Sequence, residues 1–101
     1  MMHVGVCQVE LRIPESHSLK EKRHIIKSII SQVKNKFEVS IAEVGHLDSW
    51  QLVSLGLAYV SNDARHANEV LSRVVSYIQE SRLETEMLDY SIEVIPFSEM
   101  R

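Results

Sequence analysis

Apolar and polar residues alternate along the first segment of the chain. Cys7, Val9, Leu11 and Ile13 fall on one side, and Gln8, Glu10 and Arg12 on the other. This period of two predicts a strand with one buried face, stopped by Pro14. The period then changes. Leu19, Ile26, Ile29, Ile30, Val33 and Phe37 recur at helical spacing and cover a stripe roughly 100° wide. They predict an amphipathic helix from about Leu19 to about Lys36, and Ser18-Leu19-Lys20-Glu21 fits a capping box in which Glu21 reaches back to the Ser18 amide. Glu38 to His46 reads as a strand on Val39, Ile41 and Val44. Its alternation slips near Ala42, as at a bulge or where both faces are buried. Gly45-His46-Leu47-Asp48-Ser49 is the hairpin loop. Trp50 to Ser61 is a strand apolar on both sides at Leu52, Val53, Leu55, Leu57 and Val60, which suits a central place in a sheet. Asn62-Asp63 is an N-cap signal. Ala67, Val70, Leu71, Val74 and Ile78 make a second helical stripe, with Glu69 and Arg73 at i,i+4 on its solvent side. The polar run Glu80 to Glu86 reads as a loop, and Leu88, Tyr90, Ile92 and Val94 alternate as a last strand ended by Pro96.

The order is strand, helix, strand, strand, helix, strand. Two right-handed crossovers around a central hairpin give a ferredoxin-like α+β sandwich: a four-stranded antiparallel sheet with both helices on one face. The 101 residues suffice for one domain, spanning 1–101, and for a core built without staples. No repeat or low-complexity segment interrupts it. No apolar run approaches the ~18 residues of a membrane span, so no membrane association is expected. A single cysteine excludes a disulfide framework and a paired-cysteine zinc site.

Charge changes the picture. Residues 17–36 hold six basic residues against one acidic, a local balance of +5, while the rest of the chain carries −8 and the whole −3. Within the first helix Lys20, Arg23, Lys27 and Lys34 share a roughly 60° sector beside the apolar stripe, with Lys22 and Lys36 on the opposite flank. Four cations on one ridge can track phosphates and would bind them in a salt-dependent way. The plain alternative is a solvated helix face whose lysine stems cover core edges.

Two further constellations stand out. Gln8, Glu10 and Arg12, with Ser91 and Glu93, should line the sheet face that the helices leave open. That face lacks the aromatic residues and motif of an RNA-recognition sheet. It better suits a partner subunit, and a homo-oligomer, most simply a dimer, is expected. Near the hairpin, Glu43, His46, Asp48 and Trp50 offer two carboxylates and an imidazole, types that transfer protons or bind metals. Strand alternation sends Glu43 and His46 to opposite faces unless a bulge intervenes, and Asp48 is an ordinary turn residue. Trp50 reads as a core or interface anchor, and Cys7 as a buried small hydrophobe. No catalytic residue, metal site or cofactor is assigned. Phosphate-loop, dinucleotide and nucleophile-elbow motifs are missing, and Pro14-Glu15-Ser16-His17 lacks the arginine an acylphosphatase-type loop would need.

Three segments in combination carry a resemblance: Val4-Gly5-Val6-Cys7 through Glu10-Leu11; Ser18-Leu19-Lys20-Glu21-Lys22-Arg23 with Lys27-Ser28; and Ala42-Glu43-Val44 with His46, Asp48, Trp50-Gln51 and Val60-Ser61-Asn62-Asp63. The chain resembles the YlxP-like family of small bacterial proteins of unknown function, from about Val4 to about Val94. The resemblance implies a ferredoxin-like fold and a cytoplasmic bacterial protein. It also implies a setting among genes for transcription-elongation and translation-initiation factors and a ribosome-binding factor, hence a role near RNA or the ribosome. It brings no catalytic residues. Gly45 departs from the pattern, where Asp commonly precedes the histidine. Three readings follow: a non-enzymatic RNA- or ribosome-associated module, a homo-oligomeric protein-interaction domain without nucleic-acid binding, and a small enzyme using the hairpin Glu, His and Asp.

Overall fold

A computed structural model describes residues 1–81 and 84–100. The elements are β1 (His3–Arg12), α1 (Leu19–Lys36), β2 (Ser40–Gly45), β3 (Leu52–Ser61), α2 (Ala64–Ser81), β4 (Glu86–Pro96) and a final 3-10 turn (Phe97–Met100). The sheet is antiparallel throughout, in the order β2-β3-β1-β4. This is the ferredoxin-like arrangement that the element order predicts. No helix among the described residues is long and apolar enough to cross a membrane.

The alternation in β1 does what the pattern implies. Cys7, Val9 and Leu11 point into the core, as does Ile13 just beyond the strand. They pair across β1–β3 with Leu57, Leu55 and Val53, all buried. Ile26, Ile29 and Val33 of α1, and Val70, Leu71, Val74, Val75 and Ile78 of α2, close this single apolar layer. The second helix packs over β1, β3 and β4, and the first over β2. Gly5 permits the close approach of α2, since a Cβ built there would lie 2.7 Å from Leu71 Cδ1.

Local signals set the element ends. Ser18 Oγ accepts from the Glu21 amide at 3.1 Å, so Ser18 caps α1. The Glu21 carboxylate reaches one residue further back than a capping box requires, accepting from the His17 amide at 2.6 Å. Asp63 Oδ1 accepts from the Arg65 and His66 amides and caps α2. Among the described residues no ion pair joins Glu69 to Arg73; both stay exposed. The loop expected over Glu80 to Glu86 is shorter at its start, because Glu80 and Ser81 complete α2; its Arg82 and Leu83 lie outside the described residues. The bulges fall between Glu43 and Gly45 in β2 and at Leu88 in β4. In β3 the ladder begins at Leu52, not Trp50, because the chain before it is taken up by the turn.

The Gly5–Leu71 contact yields a prediction. Gly5→Ala should destabilise by about 1–3 kcal/mol, the range for an overpacked core. Leu71→Ala should cost about 2–5 kcal/mol. Denaturant unfolding of the double variant should show less than the sum, because the smaller side chain removes the clash.

Candidate functional site

The hairpin end of the sheet gathers a cluster of polar side chains. It is built around a residue whose charge suggested solvent. Lys22 is 1 % exposed. Its place on α1 explains why: positions 22, 26, 29 and 33 repeat at the spacing of one helix face, and the other three are the buried Ile26, Ile29 and Val33. The lysine stem extends along that apolar face to the β2–β3 turn. There the Nζ donates to the His46 carbonyl at 2.5 Å and lies 3.1 Å from Glu43 Oε2. The ammonium is aimed at the carbonyl, so Glu43 Oε2 is a buried counter-ion without a hydrogen-bond donor.

The same carbonyl also accepts from the Ser49 amide at 3.0 Å, which closes the turn. His46 itself sits at φ 57°, the left-handed region, where a side chain other than glycine is uncommon and costs roughly 1–2 kcal/mol. Two donors on one carbonyl hold it there. Gln51 secures the other wall of the loop, donating through Nε2 to the Pro14 and Ser16 carbonyls at 2.9 and 3.3 Å.

On the far side of the sheet a second network continues from the turn. Ser54 Oγ donates to Glu10 Oε1 at 2.8 Å. Gln8 Nε2 reaches both Glu10 Oε1 and Ser54 Oγ, at 2.8 and 2.9 Å. His46 Nε2 stands 3.8 Å from Glu10 Oε2, a contact that becomes an ion pair when the ring is protonated. Thus His46 belongs to both faces: its carbonyl holds Lys22 beneath the sheet, and its ring meets Glu10 above it.

The hairpin residues therefore do not converge on one point. Glu43 faces the helices and is matched by Lys22, while His46 turns its ring to the open face. Asp48 and Trp50 are exposed and line a shallow cleft with Arg12, Ser49, Gln51 and Leu52. Trp50 is 55 % exposed, so it anchors no core. Among the described residues no three His, Cys, Asp or Glu side chains come together so as to hold a metal ion. Cys7 is buried, and burial pushes its thiol up to about 11.

The basic ridge has a different character. Lys20, Arg23, Lys27 and Lys34 are all exposed, and none has an ion-pair partner among the described residues. Lys36 departs from them, lying over the Tyr77 ring at 4.8 Å, where Tyr77 also meets Phe37 edge-on at 5.7 Å. The burial of Lys22 is what reading of the sequence missed. Its signal was the register with Ile26, Ile29 and Val33, which a search restricted to apolar letters passes over.

Fold and surface together define a small ferredoxin-like α+β protein with a polar hairpin and a free basic helix face. The chain belongs to the family described as protein of unknown function (DUF503), whose model matches residues 4–92. It is similar to the uncharacterized protein YlxP of Bacillus subtilis (strain 168), with 43% identity over 75 residues, 74% of this chain and 82% of that protein.

Two predictions follow from the buried groups. Glu43→Ala leaves the Lys22 ammonium without its counter-ion and should cost about 3–5 kcal/mol, whereas replacing the pair together by Met and Leu should be neutral or stabilising by about 1–4 kcal/mol; urea unfolding separates the two. For Cys7, the raised folded-state value means the thiol keeps its proton in the folded chain where the unfolded chain has lost it. Stability is therefore undiminished below pH 9 and should fall as pH rises from there through about 11. Cys7→Ala should lose that part of the alkaline decline in pH-dependent melts.

Proposed function

We propose that this chain is a single-domain, non-enzymatic binding module that takes an RNA backbone along the exposed ridge of α1, in the cytoplasm and in the neighbourhood of the ribosome. One observation carries the reading. Lys20, Arg23, Lys27 and Lys34 are exposed together on one flank of a capped helix, with no carboxylate paired to them among the described residues. On an otherwise acidic chain of net charge −3, four unneutralised cations form a local positive strip. At 1.5 Å rise per residue the strip is about 21 Å long, enough to meet several successive phosphates.

The hairpin supports a structural rather than catalytic role. Glu43 is engaged by Lys22, and the Ser54 hydroxyl is committed to Glu10. The His46 ring stands beside Glu10.

Binding of single-stranded RNA, followed by fluorescence anisotropy over a salt series, tests this reading. Four phosphate contacts predict log K falling against log salt with a slope near −3. The variant with Lys20, Arg23, Lys27 and Lys34 changed to Gln should keep its melting curve and lose both the affinity and the slope. Equal binding by wild type and variant, or none by wild type at low salt, would contradict it.

A further inference from the structure

We propose that the free edge of β4 takes up an extended, basic segment of a partner protein as a fifth strand. The backbone register shows that this edge is open. The Phe97 amide donates to the Met2 carbonyl at 2.9 Å, so residues 2 and 97 form a hydrogen-bonded antiparallel pair. Such pairs recur at every second residue, and the register carries them to Val4–Ile95, Val6–Glu93 and Gln8–Ser91. On the other side of β1 the Ile13 amide donates to the Gln51 carbonyl at 2.8 Å, which gives β3 the odd-numbered residues of β1 and leaves the even ones to β4. Ile95, Glu93 and Ser91 therefore spend their backbone groups on β1. Tyr90, Ile92 and Val94 turn theirs outward, and among the described residues no strand lies beyond β4. Both ends of the stretch are closed. The Tyr90 amide donates to Asp89 Oδ1 at 2.8 Å, and Pro96, the next outward position, has no N–H to give. Between them the Ile92 and Val94 amides and the Tyr90, Ile92 and Val94 carbonyls face out, room for a strand of about six residues.

Side chains specify the occupant. A strand laid against β4 places its residues alternately on the two faces of the sheet. On the helix face it meets Tyr90, Ile92 and Val94, which lie across from Val9, Cys7 and Gly5. Tyr90 is 52% exposed and Leu88, at the bulge, 53%, so apolar area stands uncovered along the edge. On the open face the strand meets Asp89, Ser91 and Glu93. Both carboxylates are exposed, and neither is ion-paired among the described residues. The segment that matches alternates apolar side chains with Lys or Arg, each cation opposite a carboxylate. The same carboxylates repel RNA. They also disfavour a second copy, because two paired β4 strands would gather Asp89 and Glu93 of both chains on one face. The other edge of the sheet offers less: β2 is six residues long and bulged between Glu43 and Gly45, features that close an edge to pairing. No cation of the α1 ridge takes part, so the inference does not depend on the RNA reading.

Amide hydrogen exchange of the isotope-labelled full chain, with and without a peptide of alternating valine and lysine about six residues long, tests it. In the free chain the Ile92 and Val94 amides should exchange fast and those of Glu93 and Ile95 slowly, because only the latter are bonded to β1. With peptide at up to about 1 mM, the Ile92 and Val94 amides should slow at least about tenfold. A peptide of alternating valine and glutamate should leave them unchanged. Glu93→Lys alters an exposed side chain and should fold with unchanged circular dichroism. It should bind the lysine peptide at least about tenfold more weakly and admit the glutamate one. The variant with the four ridge cations changed to Gln should take the lysine peptide as wild type does. An absence of added protection at low salt overturns the proposal. So does binding that leaves Ile92 and Val94 unprotected, or equal binding of the lysine peptide by Glu93→Lys. Protection of those two amides in the peptide-free chain that rises with protein concentration overturns it too, since a second copy would then hold the edge.

Discussion

A lysine ammonium held out of water beneath a hairpin constrains much of the rest of this molecule. Desolvating it costs several kcal/mol, and the cost is offset only if its partners are fixed in place. The His46 carbonyl and the Glu43 carboxylate meet that demand, and in doing so they determine the turn. The carbonyl must point down into the helix layer, so His46 takes a left-handed backbone and its ring swings to the other side of the sheet, beside Glu10. One interaction therefore connects the core, the hairpin and the open face. It also sets the rotation of α1 about its own axis. With Lys22 seated beside Ile26, Ile29 and Val33, the cations at 20, 23, 27 and 34 are turned about 120° from the buried face and must stand in solvent. The free ridge is a consequence of which face of α1 is buried, the face that Lys22 shares with Ile26, Ile29 and Val33.

The sheet separates two surfaces of opposite character. Below it, the helices cover the core and present positive charge on the outer flank of α1. Above it, the exposed rows of β1, β3 and β4 are apolar toward the start of β1 and polar toward the hairpin, where Gln8, Glu10 and Ser54 satisfy one another.

Much of the fold was legible in the residues, for physical reasons that can be named. A period of two in β1, a change to helical spacing after Ser18, and paired caps at Ser18 and Asp63 gave α1 its limits and α2 its start. The order of elements gave the topology. What was less legible depended on contacts between distant segments. Nothing near Lys22 in sequence announces Glu43 or His46, and a lysine letter in a basic run reads as solvated. Trp50 looks like a core or interface anchor by residue type, and the turn that Ser49 and Gln51 fix leaves it outside the core. Glu43 and His46 were recognised as candidates, and the alternation argument that they face opposite sides holds despite the bulge between Glu43 and Gly45. The turn even uses that opposition, sending the carbonyl one way and the ring the other.

Helix α1 is proposed to divide its cations between a buried fastener, Lys22, and a free binding ridge. Titrating the isotope-labelled chain with a short single-stranded RNA, and following backbone and lysine side-chain resonances, tests it most directly. Shifts should gather on Lys20, Arg23, Lys27 and Lys34, with the Lys22 ammonium signal unmoved and Val4, Val6 and Val60 silent. Shifts centred on the open sheet face, a Lys22 signal that moves with the other four, or no shifts at low salt would contradict it.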